Sequence, residues 1–122
     1  MPEAGILPEI RDVLALDKTI HEPARLAILA LLLSVDSADF TWLMRQTGLT
    51  QGNLSAHLGK LEAAGLVSVE KGFEGKRPKT TLRITPDGAA RLQAQGKALI
   101  RFLGLIDIRP SRAAEKQKDM RS

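Results

Sequence analysis

The chain has 122 residues, 43% of them hydrophobic, a formal net charge of +4 at pH 7 and no cysteine. That length suits one modest core and is short for two domains, and the missing thiols exclude a disulfide framework, thiolate metal sites and a cysteine nucleophile. The longest apolar run, Leu26 to Leu33, falls well short of the roughly 18 to 20 residues a membrane span needs. Glu3, Glu9 and Asp12 stand where a secretory signal would be basic, so a cytoplasmic protein without membrane association is expected.

Charge is unevenly spread. Residues 1–49 hold four bases and seven acids, whereas residues 50–85 hold six bases and three acids and residues 109–122 five bases and two acids. A positive second half suggests a polyanionic partner. The expected layout is a single domain over residues 1–108, followed by a basic, flexible tail over 109–122 that is either disordered or an auxiliary contact for such a partner.

In chain order, Pro8 suits the first turn of a short helix with Ile10, Val13 and Leu14 on one face. A second helix starts near Glu22 and Pro23 and runs to about Ser34. Leu26, Leu29, Ala30 and Leu33 lie together on it, yet Ile28, Leu31 and Leu32 make it apolar nearly all round, so a central, buried helix is expected. Ser37 or Asp39 can cap the next helix, whose buried stripe is Phe40, Leu43 and Met44 and whose terminator is Gly48. Trp42 falls off that stripe, to pack on a neighbouring helix or subunit or to line a pocket. Thr50 then caps a helix over 50–64, ended by Gly65, with Leu54, Leu58 and Leu61 facing inward.

The opposite face of that helix carries Gln51, Gly52, Asn53, Ser55, Ala56, Gly59 and Lys60. Solubility alone would be better served by Glu and Lys, because each exposed helical glycine costs about 1 kcal/mol relative to alanine. Gly52 is read either as a relaxed first turn and Gly59 as close helix packing, or both as close approach to a groove floor or phosphate backbone. Asn and Gln can bond adenine bidentately, Ser and Lys reach bases or phosphates, and Thr50 with the first-turn amides suits a phosphate. His57 lies at the edge of the core stripe, where a hydrogen bond to a phosphate or to a neighbouring backbone group is its expected role. With His21 as its one fellow histidine, no metal or other cofactor is implied.

Beyond Gly65 the pattern alternates. Val67 and Val69, then Leu82 and Ile84, mark two hairpin strands, joined by a loop over 71–79 that carries Lys71, Lys76, Arg77 and Lys79 among Gly72, Gly75 and Pro78. A basic hairpin tip beside such a helix suits the DNA backbone or minor groove. Phe73 is read as a packing residue at the base of this hairpin.

The residues Gly48-Leu49-Thr50, Asn53-Leu54-Ser55, His57-Leu58, Leu61-Glu62, Ala64-Gly65-Leu66-Val67 and Gly75-Lys76-Arg77-Pro78 resemble the small winged-helix regulators of bacteria and archaea, similar to the MarR and ArsR families. The resemblance spans about residues 20–105. It implies a mainly α fold with a small β-hairpin, a winged helix-turn-helix over about 39–85 with N- and C-terminal dimerisation helices. It also implies a homodimer on operator DNA, with the helix from Thr50 in the major groove and the segment Phe73 to Lys79 on the backbone or minor groove. The cysteine-based metal sites of some relatives are not carried over, and a small-molecule effector stays open.

A last helix over 86–106 presents Leu92, Leu99, Leu103 and Ile106 as one seam, widened by Ile100, Phe102 and Leu105. A domain this small has no further element to cover both sides, so a homodimer through this helix, with the one after Pro8, is expected, and with it an inverted-repeat site in double-stranded DNA. The alternative is a winged-helix module that binds protein and no DNA. No nucleophile and base, metal set or phosphate-cradling loop stands at a recognisable spacing, so an enzyme is not expected.

Overall fold

In a computed structural model, residues 7–106 are described; the expected basic tail over 109–122 lies outside them. The elements are α1 (Pro8–Leu14), α2 (Pro23–Leu33), β1 (Ala38–Asp39), α3 (Phe40–Thr47), α4 (Gln51–Ala63), β2 (Val67–Glu74), β3 (Arg77–Ile84) and α5 (Pro86–Ile106). No helix among the described residues is long and apolar enough to cross a membrane.

Two compact units result. The larger, Leu16–Gln95, contains α2 to β3 and the first half of α5. Its core joins Ile20, Ile28, Leu29, Leu43, Leu54, Leu61, Leu66 and Leu82, all fully buried, and each such side chain contributes about 1.5–3 kcal/mol of transfer free energy. Short polar side chains fix the helix starts. Asp39 accepts from the Trp42 N–H at 2.7 Å, and Thr50 Oγ1 accepts from the Asn53 N–H at 3.2 Å, as their sequence positions imply. Gly48 (φ 71°) and Gly65 (φ 76°) close α3 and α4 in the left-handed region, where a side chain would be strained.

Three details differ from the sequence reading. In α2 the buried residues are Ile28, Leu29 and Leu32, while Ala30 and Leu33 are exposed, because an all-round apolar helix carries no periodicity that selects its inner face. The sheet has three strands, in order β1-β3-β2, since Ala38 and Asp39 pair with Leu82 and Thr81 ahead of α3. The nine-residue basic loop expected over 71–79 is mostly strand. β2 and β3 stay antiparallel from Val67↔Ile84 to Glu74↔Arg77 and leave only Gly75 and Lys76 as the turn. Gly75 has φ 65°, the positive value that tight two-residue hairpins require at their first central position.

The smaller unit comprises α1 and the end of α5 from Gly96. Within it Arg101 Nη2 lies 3.4 Å from Asp12 Oδ2. Ile10 and Val13 are half-buried, whereas Leu7, Leu14, Ile100, Leu103, Leu105 and Ile106 are exposed.

Candidate nucleic-acid interface

Helix α4 has one apolar and two polar flanks. Leu54, Leu58 and Leu61 hold it to the core. The side turned to the hairpin carries Gln51, Ser55, Gly59 and Glu62, and the side turned to α2 carries Asn53, His57 and Lys60. Between them lie Gly52 and Ala56, so the middle of the exposed face has almost no side-chain bulk. A Cβ added at Gly52 or Gly59 would meet nothing within 4 Å. Close packing within the chain therefore does not explain Gly59, and the open space above it is available to a partner.

The hairpin forms the second wall. Gln51, Ser55, Gly59 and Glu62 of α4, Asp39 to Thr41 at the start of α3, and Val69, Lys71, Lys79 and Thr80 of the strands bound an open groove of about 810 Å³. Strand alternation puts Lys71, Phe73, Pro78 and Thr80 on one face of the arm, and Glu70, Glu74, Arg77, Lys79 and Arg83 on the other. On the second face acids moderate the bases: Lys79 Nζ lies 3.3 Å from Glu74 Oε2, and Arg83 Nη1 lies 2.9 Å from Glu70 Oε2. Lys71, Lys76 and Arg77 have no ion-pair partner among the described residues.

Thr50, Gln51, Gly52, Asn53, Ser55, Lys60, Lys71, Lys76, Arg77 and Lys79 are all exposed, on α4 or on the arm. His57 is set apart from them. Its Nδ1 lies 3.3 Å from Arg25 Nη1 and 3.7 Å from Glu22 Oε2, so its neighbours are side chains of α2 rather than a backbone group. Glu22 in turn caps α2: its carboxylate accepts from the Arg25 N–H at 2.9 Å, and this bond chiefly holds its pKa below the usual glutamate value.

Phe73 is 75% exposed and pairs with Pro78 near the hairpin tip, not at its base, because the strands run farther than alternation suggested. Trp42, off the buried stripe of α3, is half-buried against the core. Leu92 is half-buried and packs on this core. Leu99 and Phe102 are half-buried, and Ile100, Leu103 and Ile106 exposed. Sequence reasoning missed Arg25 and the acids Asp39, Glu62 and Glu74 of the groove. The signal for Arg25 was present: it is the sole charge in the α2 sequence PARLAILALLL, and such a charge needs partners.

A capped helix-turn-helix whose second helix exposes small polar groups beside a basic two-stranded arm defines a winged-helix DNA-binding protein. Residues 24–103 match the winged helix DNA-binding domain family, and the chain belongs to that family. It is 39% identical over 71 residues to an uncharacterized protein of Methanocaldococcus jannaschii, covering 58% of this chain and 77% of that one. Among solved structures it is similar to a transcriptional regulator homologue from Pyrococcus horikoshii, with a TM-score of 0.76, 28% identity, 84% of this chain covered and 100% of the other. A MarR-family regulator from Enterococcus faecalis aligns over 100% of both chains with a TM-score of 0.63 and 25% identity. The repressor CouR, solved on a 23-mer DNA duplex, shares the fold at 22% identity and a TM-score of 0.68, covering 89% of this chain and 75% of that one. Family and fold are those of transcriptional regulators, not of enzymes.

Proposed function

We infer that this protein is a sequence-specific transcriptional regulator, a cytoplasmic homodimer that binds an inverted-repeat operator in double-stranded DNA. Residues 1–108 are its working domain. Helix α4 enters the major groove, where Gln51, Asn53 and Ser55 read base edges and Thr50, His57 and Lys60 meet the backbone. Lys71, Lys76, Arg77 and Lys79 bring the wing to the backbone or minor groove. The observation that carries this reading is the pairing of a nearly bulk-free helix face, open above Gly52 and Gly59, with a basic arm along the same groove. CouR supplies a precedent for this fold on a DNA duplex.

The homodimer is supported by apolar side chains of the smaller unit that meet water: Ile100 is 71% exposed, Leu14 70% and Ile106 55%. A patch of that kind marks an interface. A two-fold dimer then sets two reading helices about 34 Å apart, one turn of DNA. Sedimentation of the Leu99→Glu, Leu103→Glu variant is expected to give a monomer; an unchanged mass moves the interface elsewhere.

The DNA reading is tested by fluorescence anisotropy with genomic duplex fragments over a range of salt. Each neutralised phosphate adds about 0.9 to the slope of log K against log salt, so Lys76→Ala, Arg77→Ala in both protomers is expected to flatten it by about 3 to 4. Salt-independent binding, or none to any fragment, would overturn the reading in favour of a protein-interaction module.

A further inference from the structure

We propose that Arg25, outside the DNA-contacting set, is a positioning residue for DNA recognition: it holds His57 in the tautomer whose Nε2–H is presented to a phosphate oxygen. This role rests on the DNA reading above. Guanidinium has donors and no acceptor, so the ring nitrogen 3.3 Å from Arg25 Nη1 must accept. The proton of the neutral ring then sits on Nε2. The competing partner, Glu22 Oε2, would draw the proton to Nδ1, but at 3.7 Å it lies beyond hydrogen-bonding distance. His57 is 23% exposed at its side chain, and Nε2 has no partner among the described residues. It stands on the α2 flank of α4 between Asn53 and Lys60, one turn from each and at the rim of the reading face, where a backbone phosphate is nearer than a base edge.

Arg25 is itself fixed. Its Nε donates to the Thr19 carbonyl at 2.5 Å and its Nη2 to the Lys18 carbonyl at 3.4 Å, which sets the plane of the guanidinium and leaves Nη1 aimed at the imidazole. The segment supplying those carbonyls is tied to α5: the Asp17 N–H donates to Gln95 Oε1 at 2.8 Å, and Arg91 Nη2 donates to Asp17 Oδ2 at 2.5 Å. Fully buried Ile20 anchors the same segment in the core. The orientation of one imidazole on the reading helix is thus built from α5 through Asp17, Thr19 and Arg25.

The test uses the full chain and a fluorescein-labelled duplex of arbitrary sequence, about two helical turns long, at low salt. Glutamine keeps a donor where Nε2–H stands and asparagine does not. His57→Gln is expected within about threefold of wild type and His57→Asn about a hundredfold weaker, one hydrogen bond to a charged group being lost in each protomer of the dimer. Arg25→Met leaves Glu22 as the neighbour of Nδ1, so it should match His57→Asn, and the double variant should lose nothing more. Without DNA, ¹⁵N NMR at about pH 8, above the ordinary histidine range, should show Nε2–H for His57 in the wild type and a shift toward Nδ1–H in Arg25→Met, with His21 as internal reference. Wild-type affinity in His57→Asn, losses that multiply in the double variant, or an Nδ1–H ring in the free wild type would each overturn the proposal. A wild type that binds no duplex overturns the DNA reading and this role together, and the tautomer measured without DNA separates that failure from a wrong assignment of the ring.

Discussion

Gly88→Ala offers the sharpest check on how α5 is seated. Gly88 lies buried in the first turn of that helix, its N–H donating to Thr85 Oγ1 at 2.9 Å. Thr85 ties the turn to the end of α4, its hydroxyl donating to the Gly65 carbonyl at 2.7 Å and its N–H to the Leu66 carbonyl at 3.0 Å. A methyl on Gly88 would fall well inside van der Waals contact of the Leu66 carbonyl oxygen, 3.0 Å from its carbonyl carbon and 3.1 Å from Ile84 Cγ1. Alanine gains about 1 kcal/mol of helix propensity. The clash is with backbone, which no rotamer change relieves; such overpacking costs about 1–3 kcal/mol or more, and displacing Leu66 weakens a hydrogen bond worth about 1 kcal/mol. A net loss of about 1–3 kcal/mol follows, or about 4–8 °C in Tm per kcal/mol for a domain of this size. Thermal and urea unfolding followed by circular dichroism at one protein concentration measures it. A variant as stable as wild type would show that the first turn of α5 does not press on Leu66.

Gly59→Ala should behave oppositely, since its methyl meets nothing within 4 Å: unfolding should show a gain of up to about 1 kcal/mol, while anisotropy shows weaker DNA binding, and unchanged affinity would remove this face from the contact. Leu29→Ala deletes a fully buried side chain and should cost about 2–5 kcal/mol in urea unfolding; a loss below 1 would mean the core refills the space. Glu22 has a lowered folded pKa, set first by the Arg25 backbone hydrogen bond. Its contribution is therefore complete above the unfolded glutamate pKa and is lost as pH falls through the folded value, so between about pH 5 and 3 Glu22→Gln should lose less stability than wild type. Parallel stability curves for the two proteins would refute that linkage.

What the sequence revealed follows the range over which each signal acts. Helix caps at Asp39 and Thr50 and left-handed ends at Gly48 and Gly65 are set within a few residues, and all four were legible. The inner face of α4 was legible too, because Leu54, Leu58 and Leu61 stand out against small and polar neighbours. On α2 the same method singled out no inner face, since apolar groups on every side erase the contrast. The arm was misjudged for a related reason. Past Val69 and before Leu82 no apolar residue on either strand reaches the core, so alternation ends while the backbone ladder continues to Glu74 and Arg77. Phe73, read as a base residue, consequently stands near the tip.

The contacts that lead to His57 were illegible for a different reason. Arg25 and His57 are 32 positions apart, and Asp17 and Gln95 are 78 apart. No periodicity spans such distances, and sequence can say only that a lone arginine on an apolar helix needs a partner. This division has a functional consequence. The groups proposed to meet DNA lie on local, patterned elements, whereas the groups proposed to aim His57 depend on the packing of α5 against the 17–20 segment. A change in α5 that spares every DNA-contacting residue should therefore alter binding through Arg25. Gln95→Leu, which removes the acceptor for the Asp17 N–H, is expected to weaken duplex binding in the wild-type background and to add nothing in Arg25→Met. An equal loss in both backgrounds would show that α5 acts on DNA binding by another route.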